Sequence, residues 1–152
     1  MKCDSVKILG VRIDNVDLEE AYKQFIEFIN GDRLYTIYTP NPEMVMNAQE
    51  NIDLKYALLA GDLVVPDGIG LMYASKYLKL GLKDRVAGID LMGRMLKFLN
   101  LTKGSIYLLG ARRDVITEAA LNIGLQFPCV NIVGFHDGFF DFEEELKVLD
   151  DI

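Results

Sequence analysis

Leu63-Val64-Val65-Pro66-Asp67-Gly68-Ile69-Gly70-Leu71 is the stretch that decides the fold. A short apolar run ends in Pro66-Asp67-Gly68, a turn signal, and apolar residues then resume at helical spacing. The same rhythm recurs around it. Strand Leu34–Tyr38 leads into Thr39-Pro40-Asn41-Pro42, strand Ser105–Leu109 into Gly110-Ala111-Arg112-Arg113, and strand Val130–Val133 into Gly134-Phe135-His136-Asp137-Gly138. Strands that alternate with helices indicate a parallel sheet, because parallel neighbours need long crossovers, and such sheets carry helices on both faces. The expectation is an α/β, Rossmann-like fold in which residues 1–152 form one domain.

Residues 6–13, with β-prone stretches around Gly10, predict a small hairpin ahead of the main fold. Asp17 precedes Leu18, Ala21, Tyr22, Phe25, Ile26 and Ile29 at helical spacing, with Glu20 placed to complete a capping box and Gly31 to end the helix. Across 89–101 apolar residues point around nearly the whole circumference, which suits either a central core helix or a subunit interface. Residues 143–152 read as a helix with no strand after it, which predicts a fragment of a longer fold.

A length of 152 residues allows roughly 70% of the unfolded surface to be buried, enough for a core without staples. The apolar fraction of 51% and only 4 Pro exclude a disordered chain. Cys3 and Cys129 belong to no Cys-x-x-Cys or Cys/His cluster. Without a signal peptide, the expected location is cytoplasmic. No apolar run approaches the ~18 residues that span a bilayer, so membrane contact is expected to be peripheral. A net charge of −7 disfavours nucleic acid as a partner but leaves room for a local basic patch.

In open α/β sheets ligands sit outside the carboxyl ends of the strands, so the four turns are the place to look for chemistry. Asn41 before Pro42 fits an N-cap, and the backbone N–H groups there, with Thr39 and Asn41 beside them, suit a sugar or a phosphate as well as an ordinary helix start. Asp67 places a carboxylate at a strand exit with an apolar approach, where partial desolvation would make it a better base; Asp-Gly is also a common turn. Gly68 and Gly70 permit close backbone approach. Arg85, before the apolar helix, suits a diphosphate leaving group, although a solvated surface position is its default reading. Arg112 and Arg113 are similarly open. His136 is the sole histidine, and a structural hydrogen bond in a turn is its default reading. No Asp-x-Asp occurs, so metal-independent chemistry is expected.

The order of three blocks is more specific than any of them: Thr39-Pro40-Asn41-Pro42-Glu43-Met44, then Pro66-Asp67-Gly68-Ile69-Gly70, then Arg85-Val86-Ala87-Gly88-Ile89-Asp90. This succession resembles the WecG/TagA/CpsF family of bacterial glycosyltransferases, closest to the TagA type. Tyr107-Leu108-Leu109-Gly110 and Gly134-Phe135-His136-Asp137-Gly138-Phe139-Phe140 resemble later blocks of it. The resemblance implies an inverting enzyme that moves N-acetylmannosamine from UDP-N-acetylmannosamine to the 4-hydroxyl of undecaprenyl-diphosphate-linked N-acetylglucosamine, with neither metal nor cofactor. It makes Asp67 the base, with Thr39, Asn41, Gly68 and Arg85 as substrate-binding residues. Family members continue through a further strand-helix unit and a basic membrane-contacting segment, so this chain is expected to keep some donor binding and to lose most turnover. Homo-oligomerisation is a further expectation.

Two other classes compete. A non-catalytic nucleotide-binding module would not need a base at Asp67. A dinucleotide oxidoreductase fails because no strand-turn-helix carries Gly-x-Gly-x-x-Gly.

Overall fold

The protein, a computed structural model, is described over residues 4–152, the side chains of Phe142 and Glu143 excepted; Cys3 lies outside the described residues. It is α/β and Rossmann-like, with an N-terminal antiparallel hairpin followed by parallel strands joined through helices. The chain divides between Arg94 and Met95 into two compact units.

The first unit opens with β1 (Ser5–Ile8) and β2 (Val11–Asp14), the expected hairpin. Leu9 and Gly10, with φ of 48° and 79°, form the two-residue turn whose twist matches that of the paired strands. α1 (Leu18–Ile29) starts in the expected capping box: the Asp17 carboxylate accepts from Glu20 N–H, and the Glu20 carboxylate from Asp17 N–H. β3 (Ile37–Tyr38) leads into α2 (Pro42–Asn47) and α3 (Ile52–Ala60), and β4 (Leu63–Val64) lies parallel to β3. α4 (Ile69–Tyr77) follows.

β3 is shorter than the Leu34–Tyr38 strand expected from sequence. Leu34 is 86% exposed, and Asp62 takes up the backbone just before the strand, its carboxylate accepting from Thr36 N–H at 2.9 Å. Ile8, Val11, Ile13, Val45, Leu58, Val64 and Leu71 pack as one buried cluster, so the hairpin is part of the core. Asp14 fixes it there: its buried carboxylate accepts from Val64 N–H at 2.8 Å and pairs with Arg12 at 3.0 Å, while Arg12 donates to the Gly61 carbonyl at 2.7 Å.

α5 (Gly88–Thr102) begins in the first unit and ends in the second. The expected burial on most sides is not met within the chain. Leu91, Leu96 and Leu99 are buried, whereas Ile89 is 79% exposed and Leu101 and Met92 are also exposed.

The second unit pairs β5 (Ser105–Leu109) with β6 (Asn131–His136) in parallel, joined by α6 (Arg113–Gln126), and ends in α7 (Phe142–Asp151). β6 takes in Gly134-Phe135-His136, which the sequence places in a turn. A register shift lets Tyr107 face Gly134, and a Cβ on Gly134 would lie 2.6 Å from the Tyr107 ring. Without that Cβ the strand passes beneath the ring and continues to His136.

Candidate active site

The ends of β3 and β4 define one locus in the first unit. Val65 N–H continues the ladder by donating to the Tyr38 carbonyl at 2.9 Å, and Asp67 N–H then reaches the Pro40 carbonyl at 3.1 Å. The two turns therefore leave the sheet side by side. A third segment joins them through Val86 N–H, which donates to the Pro66 carbonyl at 2.9 Å.

Asp67, half-buried, accepts through Oδ2 from Gly88 N–H at 3.1 Å. Thr39 stands on the same spot: a Cβ built on Gly88 would lie 3.1 Å from Thr39 Oγ1 and 3.3 Å from Asp67 Oδ2. A hydroxyl and a carboxylate from two different turns thus converge on the start of α5. The third blocks of the sequence reading, around Gly88, carry a contact that reasoning from sequence missed. The signal was the glycine at the start of a helix, which leaves room for both neighbours.

Asn41 caps α2, its Oδ1 accepting from Met44 N–H at 2.8 Å, with Pro42 at the first helical position. One of its two polar ends is thereby committed to the helix. Gly68 has φ 85°, a conformation side chains rarely adopt, and a Cβ there would lie 3.0 Å from Pro42 Cδ. Gly70 is tighter, at 2.6 Å from Pro42 Cγ. These contacts hold the Asn41-Pro42 corner against the start of α4, which has no side-chain cap. Backbone N–H groups at such an uncapped start favour negative charge.

Arg85 is brought to the same segment, one residue before the Val86 clamp, but not into contact. Its backbone N–H donates to Asp84, its side chain is exposed, and no ion pair joins its guanidinium to any described residue. Among the described residues no group of three or more His, Cys, Asp or Glu is arranged to hold a metal ion.

The remaining candidates lie in the second unit. His136 ends β6, its Nδ1 2.8 Å from the Asp137 carbonyl and its ring edge-on to Phe140, as a structural histidine would be. Arg112 pairs with Asp114 at 3.0 Å, and Arg113 lies 3.7 Å from Asp137.

The family model for glycosyl transferases of the WecG/TagA/CpsF family matches residues 6–152. The chain is 33% identical over 138 residues to a Bacillus spizizenii protein named N-acetylglucosaminyldiphosphoundecaprenol N-acetyl-beta-D-mannosaminyltransferase, a match covering 89% of this chain and 54% of that protein. It is 32% identical over 146 residues to a protein of the same name from Staphylococcus aureus, covering 94% of this chain and 57% of that one. The chain spans about half the length of these curated relatives. The match takes in all three blocks that build the locus around Asp67, and the chain belongs to the WecG/TagA/CpsF family of glycosyl transferases.

Proposed function

We propose that this chain carries the donor site and the base of an inverting, metal-independent glycosyltransferase. In this reading it moves N-acetylmannosamine from UDP-N-acetylmannosamine to the 4-hydroxyl of undecaprenyl-diphosphate-linked N-acetylglucosamine. The observation that carries the reading is the half-buried Asp67 carboxylate, set beside Thr39 at the ends of two parallel strands. The relatives' names supply the acceptor class and the transferred sugar.

The chemistry is one displacement. Asp67 takes the proton of the acceptor hydroxyl as its oxygen forms a bond to the sugar's anomeric carbon. The bond from that carbon to the diphosphate breaks, and UDP leaves with the electron pair. Thr39 and the free end of Asn41 hold the sugar's hydroxyls, while Gly68 lets the backbone approach. The uncapped start of α4 and the unpaired guanidinium of Arg85 take the charge that grows on the departing diphosphate. The enzyme works on the cytoplasmic side as a peripheral protein. Self-association through the exposed residues of α5 belongs to the same proposal.

The bond from Gly88 N–H is also what a purely structural Asp67 would make, so the test has to separate the two roles. UDP and UDP-N-acetylmannosamine are titrated into this chain by calorimetry, and UDP release is measured for the corresponding full-length protein with the lipid-linked acceptor. Binding of UDP, with NAD inert, and acceptor-dependent release support the reading. A chain that binds neither nucleotide, or release unaffected by loss of the Asp67 carboxylate, overturns it.

A further inference from the structure

α4 is apolar on both of its sides. Leu71 and Ser75 face inward and are buried. On the opposite side Ile69, Tyr73 and Tyr77, spaced by four residues, are 57%, 67% and 87% exposed, with Lys76 between them. A helix with large side chains on its solvent face has a partner for that face.

Charge identifies the partner. The protein as a whole is acidic, with 16 Lys and Arg against 23 Asp and Glu. Residues 69–85, running from α4 to the clamp at Val86, invert this balance with Lys76, Lys79, Lys83 and Arg85 against Asp84 alone. Lys83 is paired with Glu20 at 2.7 Å; Lys76 and Lys79 are exposed and unpaired among the described residues. A second copy across a two-fold axis would bring two positively charged patches together. An anionic lipid surface would meet them with opposite charge, and tyrosines with an apolar ring and a polar tip suit the depth of lipid headgroups. The stripe is also continuous with the candidate site, since Ile69 follows Gly68 directly.

We infer that the Ile69–Tyr73–Lys76–Tyr77 face of α4, with Lys79, lies on the surface of an anionic bilayer and holds the Asp67 locus at the headgroup layer. The inference rests on the proposed transfer to a polyprenyl diphosphate acceptor, which is reached only at a membrane.

The test is co-sedimentation of this chain with vesicles of phosphatidylcholine, alone or with phosphatidylglycerol. The vesicles hold neither sugar donor nor acceptor, so a failure to bind them leaves the catalytic reading intact, and a failure to bind UDP counts against that reading without affecting partition onto vesicles. The chain should partition onto the phosphatidylglycerol vesicles, less so as salt is raised. Neutralising two lysines (Lys76→Gln, Lys79→Gln) should weaken partition roughly thirtyfold. Tyr73→Ser with Tyr77→Ser should weaken it as well, at positions too exposed to disturb the fold, as unchanged circular dichroism would verify. No partition by the unaltered chain, or equal partition by the variants, overturns the inference. So does a lipid-free dimer that the tyrosine changes dissolve, because the stripe is then a subunit interface.

Discussion

At Asp67, replacement by asparagine changes the proton-accepting group and little else. The amide oxygen still accepts from Gly88 N–H at the present 3.1 Å, so folding is expected to hold. Turnover of the full-length enzyme should fall roughly 10²- to 10⁴-fold, the usual worth of a positioned base, with a much smaller change in donor affinity. Single-turnover kinetics and calorimetry on the same variant read the two effects, and near-normal turnover would leave Asp67 as a turn residue only. Gly70 gives a stability counterpart. An alanine Cβ would sit 2.6 Å from Pro42 Cγ, and the ring has little freedom to move. Gly70→Ala should therefore cost about 1–3 kcal/mol, the usual range for overpacking, seen as a lower midpoint in urea.

Between elements, two carboxylates set how the strands meet. Arg33, at 2.6 Å, and Thr36 N–H hold the Asp62 carboxyl below its ordinary range. A depressed folded-state value adds stability above the unfolded value near pH 4 and loses it as pH falls through the lower folded value. Melting curves of the native chain and Asp62→Asn should therefore differ at neutral pH and draw together as the pH falls below about 4. Asp14 is the more demanding case because its carboxylate is buried and holds both Arg12 and Val64 N–H. Asp14→Ala leaves the buried Val64 N–H without its acceptor and Arg12 without its carboxylate, though Arg12 keeps the Gly61 carbonyl, and should cost about 1–3 kcal/mol; an unchanged melting temperature would refute the clamp.

Much of this element-level order was legible beforehand. The capping box at Asp17, the hairpin about Gly10, β5, and the strand-turn-helix pattern that puts Thr39 and Asp67 at strand ends follow from local chemistry, which a sequence displays directly. What was hidden depends on partners distant in the chain. The shortening of β3 needs Asp62, the extension of β6 needs the ring of Tyr107 over Gly134, and the contact of Gly88 with Thr39 and Asp67 joins residues 49 and 21 positions apart. No local pattern announces such meetings.

On the scale of the whole molecule, no helix among the described residues is long and apolar enough to cross a membrane. The proposed self-association through the exposed residues of α5 is tested by the mass in solution. Light scattering should show a mass that rises with concentration, and Ile89→Glu with Leu101→Glu should abolish the rise; a strict monomer at high concentration refutes it. The division at Arg94 has a consequence for synthesis. Thr39, Asn41, Asp67, Gly68, Arg85 and Gly88 all precede it, and the core cluster beneath them is complete by Leu82. Translation delivers roughly 5–20 residues per second and lets N-terminal units fold first. The residues of the candidate site, with the core that supports them, therefore leave the ribosome ahead of β5, α6 and β6, and the first unit can begin to fold before the second has emerged.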